Sequence, residues 1–286
     1  MSQHIPVLLR EVMTMLAPRD GGIYFDGTFG GGGYTKAILE AADCKVIAVD
    51  RDIHAATIAD EFKNRYPSRF DFFHAKFGDI KTIIKTKLDG IVLDLGVSNF
   101  QLTDPSRGFS FNLSGPLDMR MGLCDDSALD IIRKYSEQNL ANIIYELGEE
   151  HFSRRIAKSI KLNLSKIHST EDLANVIRSC VKRRGKTDPA TKTFQALRIF
   201  VNKELEELKN VLRDSVDLLN SNGKIMVVSF HSLEDRMVKF FFKELASSGK
   251  FSLLTKKPIA PSAEEISRNR KSRSAKLRGV CMQETA

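Results

Sequence analysis

A run of four consecutive glycines, residues 30–33, is the feature that most constrains how this chain folds. It follows a short apolar stretch that ends in Asp26, and a helix-forming sequence begins at Tyr34. Glycine adopts left-handed backbone conformations and lets a ligand approach the main chain closely. The pattern therefore predicts a strand, a tight turn and a helix, with a ligand lying across the turn.

A second acid supports a nucleoside as that ligand. The strand-like sequence over residues 45–50 ends in Asp50, 24 positions after Asp26. In doubly wound sheets, an acid at this distance from the first strand binds the hydroxyls of a ribose. Strand, glycine turn, helix, strand and acid together predict a nucleoside-binding site.

Charge and spacing distinguish between candidate nucleosides. A pyrophosphate prefers bare backbone N–H groups at a helix N-terminus, and a carboxylate at the position of Asp26 would repel it. The glycines also miss the dinucleotide spacing, because the third glycine of that motif would fall on Thr35 or Lys36. S-adenosylmethionine has no phosphate, carries a sulfonium and an amino group, and offers ribose hydroxyls to Asp50. We therefore expect S-adenosylmethionine to be the cofactor.

Composition indicates a globular protein of about two domains, since the chain has 286 residues, of which 42% are hydrophobic and 28% charged. Its four cysteines are far apart and form no Cys-x-x-Cys pair, which favours a reducing cytoplasm and argues against structural zinc. The sequence shows neither a basic leader before an apolar core nor an apolar run long enough for a membrane span. We expect a cytoplasmic protein with no membrane contact.

The net charge of +8 is concentrated in two basic clusters. The first is Lys-Arg-Arg-Gly-Lys at 182–186, for which a solvated surface segment is an equally good interpretation. The second is denser and punctuated by serines, which favours an RNA or DNA partner whose phosphates it contacts. Its basic residues are Arg268, Arg270, Lys271, Arg273, Lys276 and Arg278.

Strands and helices alternate in the first part of the chain, as in a parallel sheet with right-handed crossovers. Strands are predicted at 23–26, 45–50, 70–75 and 90–95, and helices at 34–42 and 53–65.

Residues from about 110 to about 200 show no strand pattern but a series of capped helices. These are predicted at 136–147, at 149–164 and from Thr170 onward. The sheet then resumes with a helix over 193–219, a turn at Asn222-Gly223, a strand at 224–230 and closing strands at 251–255 and 276–282, with a mobile loop between the last two.

The resulting fold class is α/β: a Rossmann-like, doubly wound sheet of the class I methyltransferase type with an inserted all-helical domain. The sheet domain, comprising residues 1–110 and 200–286, is expected to bind S-adenosylmethionine. Residues 111–199 are expected to form the inserted helical domain, and its role in recognising the substrate is implied by the family resemblance given below.

The other candidate site residues follow strands four and five. Asp94 is a third carboxylate expected in the same pocket, with a helix cap or turn acid as the alternative interpretation. Ser232 and Asp235 form a capping-box pattern. His231 and Glu234 have no convincingly spaced third ligand, so we expect no metal site. His231 either hydrogen-bonds a substrate or is structural.

Eight motifs, in this order, resemble the ribosomal RNA small subunit methyltransferase H family over nearly the whole chain. They are His4-Ile-Pro-Val-Leu-Leu, Asp26-Gly-Thr-Phe-Gly-Gly-Gly-Gly, Asp94-Leu-Gly-Val-Ser, Arg107-Gly-Phe-Ser-Phe, Gly115-Pro-Leu-Asp-Met-Arg-Met, Pro189-Ala-Thr-Lys-Thr-Phe-Gln-Ala-Leu-Arg, Ser229-Phe-His-Ser-Leu-Glu-Asp-Arg and Ser272-Arg-Ser-Ala-Lys-Leu-Arg. The resemblance implies transfer of a methyl group from S-adenosylmethionine to the exocyclic N4 of a cytidine in the decoding region of small-subunit (16S) ribosomal RNA. The implied partner is that RNA or the 30S subunit.

Carried over by position, the resemblance implies a set of donor-binding residues: Gly32, Gly33, Tyr34, Asp50, Phe77, Asp94 and Gln101. The chain departs from the family pattern at Tyr34 and Asp188, where histidine is usual, and at Asn99-Phe100, where Ser-Pro is usual. Tyr34 can still stack or donate a hydrogen bond, whereas Asp188 adds a negative charge near an expected RNA surface.

The expected chemistry is positioning of a poorly nucleophilic amino group against an activated methyl group. Asp94 or a nearby loop carbonyl is the candidate acceptor for the amino protons, with Asp118 and His231 behind it. Phe100 or Phe109 is the candidate stacking partner for a base splayed from the RNA.

Three alternative functions stay open. They are an RNA-binding assembly factor without turnover, a DNA amino methyltransferase and, weakest, an oxidoreductase. The sequence also leaves open whether the chain forms a homodimer.

Overall fold

The structure is a computed structural model that describes residues 6–182 and 187–284. It divides the chain into two compact units. Met1–Gly96 and Leu205–Ala286 form one of them, called here the sheet unit, and Val97–Glu204 form the other, the helical unit. Along the described parts of the chain, no helix is long and apolar enough to cross a membrane.

The sheet unit contains a seven-stranded sheet with the order β3-β2-β1-β4-β5-β7-β6. All neighbouring strands from β3 to β5 pair in parallel, and β7 is antiparallel to both of its neighbours. The strand order reverses between β1 and β4, which is where doubly wound sheets bind ligands. The strands are β1 (Ile23–Asp26), β2 (Lys45–Asp50), β3 (Phe70–His74), β4 (Leu88–Asp94), β5 (Leu219–Ser229), β6 (Phe251–Leu253) and β7 (Lys276–Met282).

Helices cover both faces of this sheet, so its central strands are apolar on both sides. On β1, Tyr24 packs into one core and Phe25 into the other, and both side chains are fully buried. The helices of the sheet unit are α1 (Leu9–Leu16), α2 (Gly33–Ala41), α3 (Ile53–Arg65), α4 (Ile80–Ile83), α12 (Ser232–Ser247) and α13 (Ala263–Arg268), together with most of α11 (Glu204–Ser215).

The helical unit has a hydrophobic core of its own. Serine side chains cap four of its helices by accepting a backbone N–H of the first turn, namely Ser98, Ser127, Ser136 and Ser169. The helices are α5 (Asn99–Thr103), α6 (Ala128–Lys134), α7 (Glu137–Gly148), α8 (Ser153–Leu162), α9 (Thr170–Cys180) and α10 (Ala190–Asn202).

This architecture confirms the predicted fold class, a doubly wound sheet with a helical insertion. The boundaries of the units fall after Gly96 and after Glu204. The first therefore comes soon after β4 ends at Asp94, earlier in the chain than the sequence predicts.

Two predicted helices differ from the structure, each because of a local backbone feature. The helix predicted at 149–164 begins only at Ser153, since Glu149 adopts a left-handed conformation with φ 50°. The helix predicted at 193–219 is interrupted at Lys203, whose φ is 51°. The helix predicted from Thr170 onward is α9, which begins at Thr170 and is capped by Ser169.

Two predicted irregular segments are also ordered differently. Asn222 has φ 65° inside β5, where the pairing with β4 shifts register, so the predicted turn is a bulge within one strand. The loop predicted between the closing strands contains α13 and a 3₁₀ helix, Arg270–Ser274.

Candidate functional site

Three carboxylates end three neighbouring strands of the sheet. Asp26, Asp50 and Asp94 are the last residues of β1, β2 and β4, which lie side by side in the order β2-β1-β4. Because these strands are parallel, their last residues meet at one edge of the sheet. The sequence thus correctly predicted a cluster of acids at the switch point.

Asp26 is fully buried and holds the start of the glycine turn. One carboxylate oxygen accepts the N–H of Thr28 at 3.1 Å, and the other accepts the hydroxyl of Thr35 at 2.7 Å. Burial raises the pKa of Asp26 to about 6, although these hydrogen bonds oppose the shift. The fold thus keeps Asp26 in a buried environment that disfavours the ionised carboxylate.

Asp50 fastens the glycine turn to β2. Its Oδ2 accepts the N–H of Gly30 at 2.7 Å, and its Oδ1 accepts the N–H of Asp52 at 2.8 Å. Each oxygen has a second lone pair, so the carboxylate can still accept a ligand hydroxyl. Burial raises the pKa of Asp50 as well.

Asp94 has the least compensated carboxyl group of the three. Its Oδ1 is buried and has no hydrogen-bond partner among the described residues. Its pKa is raised well above the ordinary value, first by burial and then by the negative charges of Asp26, Glu234 and Glu265. An unpartnered acceptor in a strongly negative environment is typical of a site that binds a cationic or hydrogen-donating ligand.

The glycine turn is required by the packing of the protein itself. Gly32 has φ 74°, and a Cβ there would lie 2.5 Å from the ring of Phe62. A Cβ on Gly33 would lie 2.2 Å from Pro6. Gly30 also has a positive φ, of 50°, but a Cβ there would meet only the carbonyl oxygen of Thr28, at 3.9 Å, so Gly30 leaves room for a ligand.

The hydroxyl of Tyr34, one of the predicted donor-binding groups, donates a hydrogen bond to the carbonyl of Val7. The side chain is 3% exposed. Burial, followed by the charges of Asp94 and Asp26, raises the pKa of Tyr34 well above its ordinary value. Tyr34 therefore stays neutral and anchors the N-terminal segment.

Glu265 is a site-adjacent acid that the sequence analysis missed. Its Oε1 accepts the N–H of Leu8 at 2.8 Å, across 257 positions of the chain. Its charge also acts on Asp94 and Tyr34. No local sequence signal reveals this contact, because it depends on how α13 folds back onto the N-terminal segment.

The remaining predicted donor-binding residues lie in both units. Phe77 is half-buried in a short 3₁₀ helix that follows β3 in the sheet unit. Gln101 is in the helical unit, where its side chain and that of Ser98 form a capping box at the start of α5. The structure therefore gives Gln101 a structural role, and its donor contact stays a prediction.

Asp118, also in the helical unit, is held in an ion pair. Its two oxygens accept hydrogen bonds from Nε and Nη2 of Arg120 at 2.9 Å and 2.8 Å. Burial acts to raise the pKa of Asp118, but the hydrogen bonds and charge of Arg120 outweigh it and lower the pKa. This arrangement makes Asp118 a weak proton acceptor and favours a positioning role.

The two candidate stacking residues differ in exposure. Phe109 is 8% exposed and belongs to the core of the helical unit, where the guanidinium of Arg107 lies over its ring. Phe100 is 52% exposed and is free to stack on a base. In the same unit, Asp188 pairs with Arg178 at 3.0 Å, so its negative charge is neutralised.

His231 is the residue immediately before α12, and it forms the N-cap. Its Nδ1 accepts the N–H of Glu234 at 3.4 Å, and Glu234 in turn accepts the N–H of Phe230 at 2.8 Å. The predicted Ser232–Asp235 box is wrong by one position, because the capping box is formed by His231 and Glu234. Nε2 of His231 is buried, 3.1 Å from Oε1 of Glu234, but without hydrogen-bond geometry to a described residue.

Only the start of the first basic cluster, at Lys182, is described; residues 183–186 lie outside the described part of the chain. In the second cluster, Lys276 and Arg278 are on β7 and share the carboxylate of Asp235, at 3.0 Å and 2.7 Å. Arg268 pairs with Glu264 on the surface.

The sheet-edge site fits S-adenosylmethionine on three observations. Three carboxylates whose pKa values are raised, with burial as the first cause, favour a cationic ligand. Oδ1 of Asp94 is a buried acceptor without a partner among the described residues. The turn at Gly30 leaves space beside the backbone.

Comparison with known proteins agrees with this site. Residues 1–283 match the MraW methylase family. A protein of Ehrlichia canis named ribosomal RNA small subunit methyltransferase H is 50% identical over 294 residues, which cover 97% of this chain and 99% of that one. A protein of the same name from a Wolbachia species of Drosophila simulans is 50% identical over 291 residues, with 97% and 98% coverage.

A solved structure described as a putative rRNA-methylase from Clostridium thermocellum is similar in fold. It aligns with a TM-score of 0.50 at 11% identity and covers 99% of both chains. The structural similarity concerns the fold alone, whereas the sequence match is nearly full length and confirms the resemblance drawn from the motifs. The chain therefore belongs to the MraW methylase family, whose members above carry the name ribosomal RNA small subunit methyltransferase H.

Proposed function

We propose that this protein transfers a methyl group from S-adenosylmethionine to the exocyclic N4 of a cytidine in the decoding region of small-subunit (16S) ribosomal RNA. The observation that carries the proposal is the family match over residues 1–283. The cluster of buried acids at the carboxyl edge of β1, β2 and β4 supports the choice of donor.

The reaction places its main demand on positioning. S-adenosylmethionine supplies a methyl group already activated on a sulfonium, while the cytosine amino group is a weak nucleophile because its lone pair is shared with the ring. In the transfer, the bond from carbon to N4 forms, the bond from carbon to sulfur breaks, and N4 loses one proton. Holding the reacting atoms in line accounts for several kcal/mol, about 7–11 in favourable cases.

We assign Asp94 as the group that accepts the proton released by N4. Its Oδ1 has no partner among the described residues, and its raised pKa makes it a stronger proton acceptor than an ordinary carboxylate. An acceptor on the amino hydrogens also favours the pyramidal, nucleophilic form of N4. Asp118, whose pKa is lowered by Arg120, is the poorer candidate.

The other site residues have supporting roles in this proposal. Asp50 accepts the ribose hydroxyls of the donor, while Gly32, Gly33 and Tyr34 shape the turn against which the donor lies. Phe77 and Gln101 are assigned to the donor by family resemblance. The imidazole Nε2 of His231 donates a hydrogen bond to the RNA, and Phe100 stacks on the splayed base.

The test is methyl transfer from labelled S-adenosylmethionine to unmodified small ribosomal subunits, followed by digestion of the RNA to nucleosides and mass spectrometry. We expect N4-methylcytidine. Donor binding without any label in the RNA would overturn the proposal and favour an assembly factor that acts by binding alone. Label on DNA but not on the subunit would favour a DNA amino methyltransferase.

Two finer statements belong to the same proposal. A cytoplasmic location follows from the substrate, since ribosomal subunits are assembled there. Homodimerisation stays a prediction, and analytical ultracentrifugation of the purified chain tests it.

A further inference from the structure

A groove lies in the sheet unit between helix α12 and β6, the strand at the edge of the sheet. Four of the residues that line it are basic: Lys239, Lys243, Lys256 and Arg278. No acidic residue of the described chain is among those that line it. The three lysines belong to neither of the basic clusters that are visible in the sequence.

These positive charges are brought together by the fold. Lys239 and Lys243 are one turn apart on α12, so their side chains share one face of the helix. Lys256 follows β6, and Arg278 is in the middle of β7. None of the three lysines forms an ion pair with a described residue. Like charges held together without counter-charges repel one another, and an anionic ligand would relieve that repulsion.

Arg278 distinguishes the groove from an ordinary solvated surface, because its side chain is largely buried and held in place. Its side chain is only 9% exposed, and Nε donates to Asp235 at 2.7 Å. This bond fixes the plane of the guanidinium of Arg278, a residue that lines the groove. A fixed, largely buried guanidinium is well suited to bind a phosphate.

The basic side chains of β7 continue from the groove toward the carboxyl end of β5. Asp235 also accepts Lys276 at 3.0 Å, and Lys276 pairs with Ser229, the last residue of β5. Arg278 pairs with Val227, two positions further from that edge. The cations therefore form a row that runs from the carboxyl end of β5 into the groove.

One exposed aromatic ring adjoins the row. Phe240 is 60% exposed, and the ammonium group of Lys239 lies 5.7 Å from the centre of its ring. Exposed aromatic rings beside lysines are typical of surfaces that bind single-stranded nucleic acid, where bases stack and phosphates pair with the cations.

We propose that the α12–β6 groove binds the phosphodiester backbone of the ribosomal RNA that flanks the target nucleotide. The inference rests on the proposed function for the identity of the RNA. Since the groove is separate from the predicted acceptor, it contributes to binding of the subunit and not to the chemical step.

The test compares two triple variants of the full chain. Lys239→Ala, Lys243→Ala and Lys256→Ala together remove the charges of the groove. The control removes the same number of charges from exposed lysines that do not line it, by Lys81→Ala, Lys85→Ala and Lys209→Ala. Both are assayed for methylation of unmodified 30S subunits at several salt concentrations, and for donor binding by calorimetry.

For the groove variant we expect a KM for the subunit raised about tenfold or more, with kcat and donor affinity close to those of the wild type. The slope of log kcat/KM against log salt should also become shallower by about 2 to 3, since each lost phosphate contact removes nearly one unit. Equal KM values and slopes for the groove and control variants would overturn the inference.

Failure of the proposed function gives a different result. In that case the wild type itself does not methylate the subunit. Direct binding of the three proteins to 30S subunits then tests the groove independently, and equal affinities would reject it.

Discussion

Three carboxylates of the site are in environments that disfavour their ionised form. Asp26, Asp50 and Asp94 all have raised pKa values, with burial as the first cause. A folded state that holds protons more tightly than the unfolded chain loses stability as pH rises. When ionised, the three acids therefore lower the stability of the folded protein, and a bound cation would offset that effect.

The pH dependence of stability tests this at Asp26. Its pKa of about 6 in the folded state exceeds the ordinary value of 3.8, so its contribution is lost as pH rises through that window. Between pH 4 and pH 7, Asp26 should lower the free energy of unfolding of the wild type by roughly 2–3 kcal/mol. The Asp26→Asn variant should not show this decrease. Urea unfolding at both pH values, without donor, measures the difference from the wild type.

Asp60→Asn is the matched control, because Asp60 is on the surface and its one ion pair with a described residue is with Lys63. Carboxylates that do not interact with Asp26 contribute equally to both proteins and cancel in the comparison. Asp94, whose pKa the charge of Asp26 raises, adds to the difference in the same direction. A wild type and an Asp26→Asn variant with parallel stability curves over this range would contradict the assigned pKa.

Asp94→Asn tests the proposed proton acceptor. The amide keeps the shape of the side chain but cannot accept the proton from N4, so we expect kcat to fall about 10²- to 10⁴-fold. Single-turnover methylation of unmodified subunits gives the rate, and calorimetry gives the affinity for the donor. Full turnover by this variant would remove Asp94 from the mechanism.

At the scale of elements, helix ends decide where several side chains lie. His231 caps α12 and has an Nε2 without a hydrogen-bond partner among the described residues, so a structural and a functional role overlap. The two roles separate by substitution, because serine is also a good N-cap residue.

We expect His231→Ser to keep the free energy of unfolding within about 1 kcal/mol of the wild type, since the cap is retained. The kcat/KM for the subunit should still fall by about tenfold or more, as for loss of one hydrogen bond to the substrate. Denaturant unfolding and steady-state assays measure the two quantities. If His231→Ser had full activity while His231→Ala did not, His231 would act only as a cap.

The end of α10 depends on one buried amide. Oδ1 of Asn202 accepts the N–H of Met121 at 2.8 Å, and its Nδ2 donates to the carbonyls of Met119 and Arg198 at 2.7 Å and 2.8 Å. The side chain thus ties α10 to the segment that contains Asp118 and Arg120.

Asn202→Ala should destabilise the protein by about 2–4 kcal/mol, because it leaves buried backbone groups of Met119 and Met121 without partners. Asn142→Ala is the control, since Asn142 is exposed and, within the described part of the chain, its side chain bonds only to Gln138 on the same helix. Thermal and urea unfolding compare the two. Similar losses for both variants would contradict the role given to Asn202.

For the whole molecule, the net charge of +8 predicts binding dominated by phosphate contacts. We expect kcat/KM for the subunit to fall by about tenfold or more between 50 and 200 mM salt at constant magnesium. The affinity for the donor should change much less, because that site contains few exposed charges. Equal salt dependence of both quantities would argue against an electrostatic RNA surface.

Local patterns were enough to predict the strands β1 to β4, the glycine turn and the three acids that end β1, β2 and β4. They succeed because side-chain periodicity and backbone preference act over a few residues. The same reasoning placed the capping box of α12 one position too late and missed the break at Lys203. A cap and a left-handed residue depend on how the neighbouring segments pack, which local preference does not contain.

The sequence by itself determined the fold class, the donor and the acids at the switch point, because each follows from residue types at short spacing. Only the tertiary structure decided which of those acids has an oxygen without a partner among the described residues. It also decided that Tyr34 donates a hydrogen bond to Val7 and that Glu265 accepts one from Leu8. It also assembled the basic groove from α12, β6 and β7. The physical reason is that burial, charge coupling and long-range hydrogen bonds join residues far apart in the chain, and these exist only once the chain has folded.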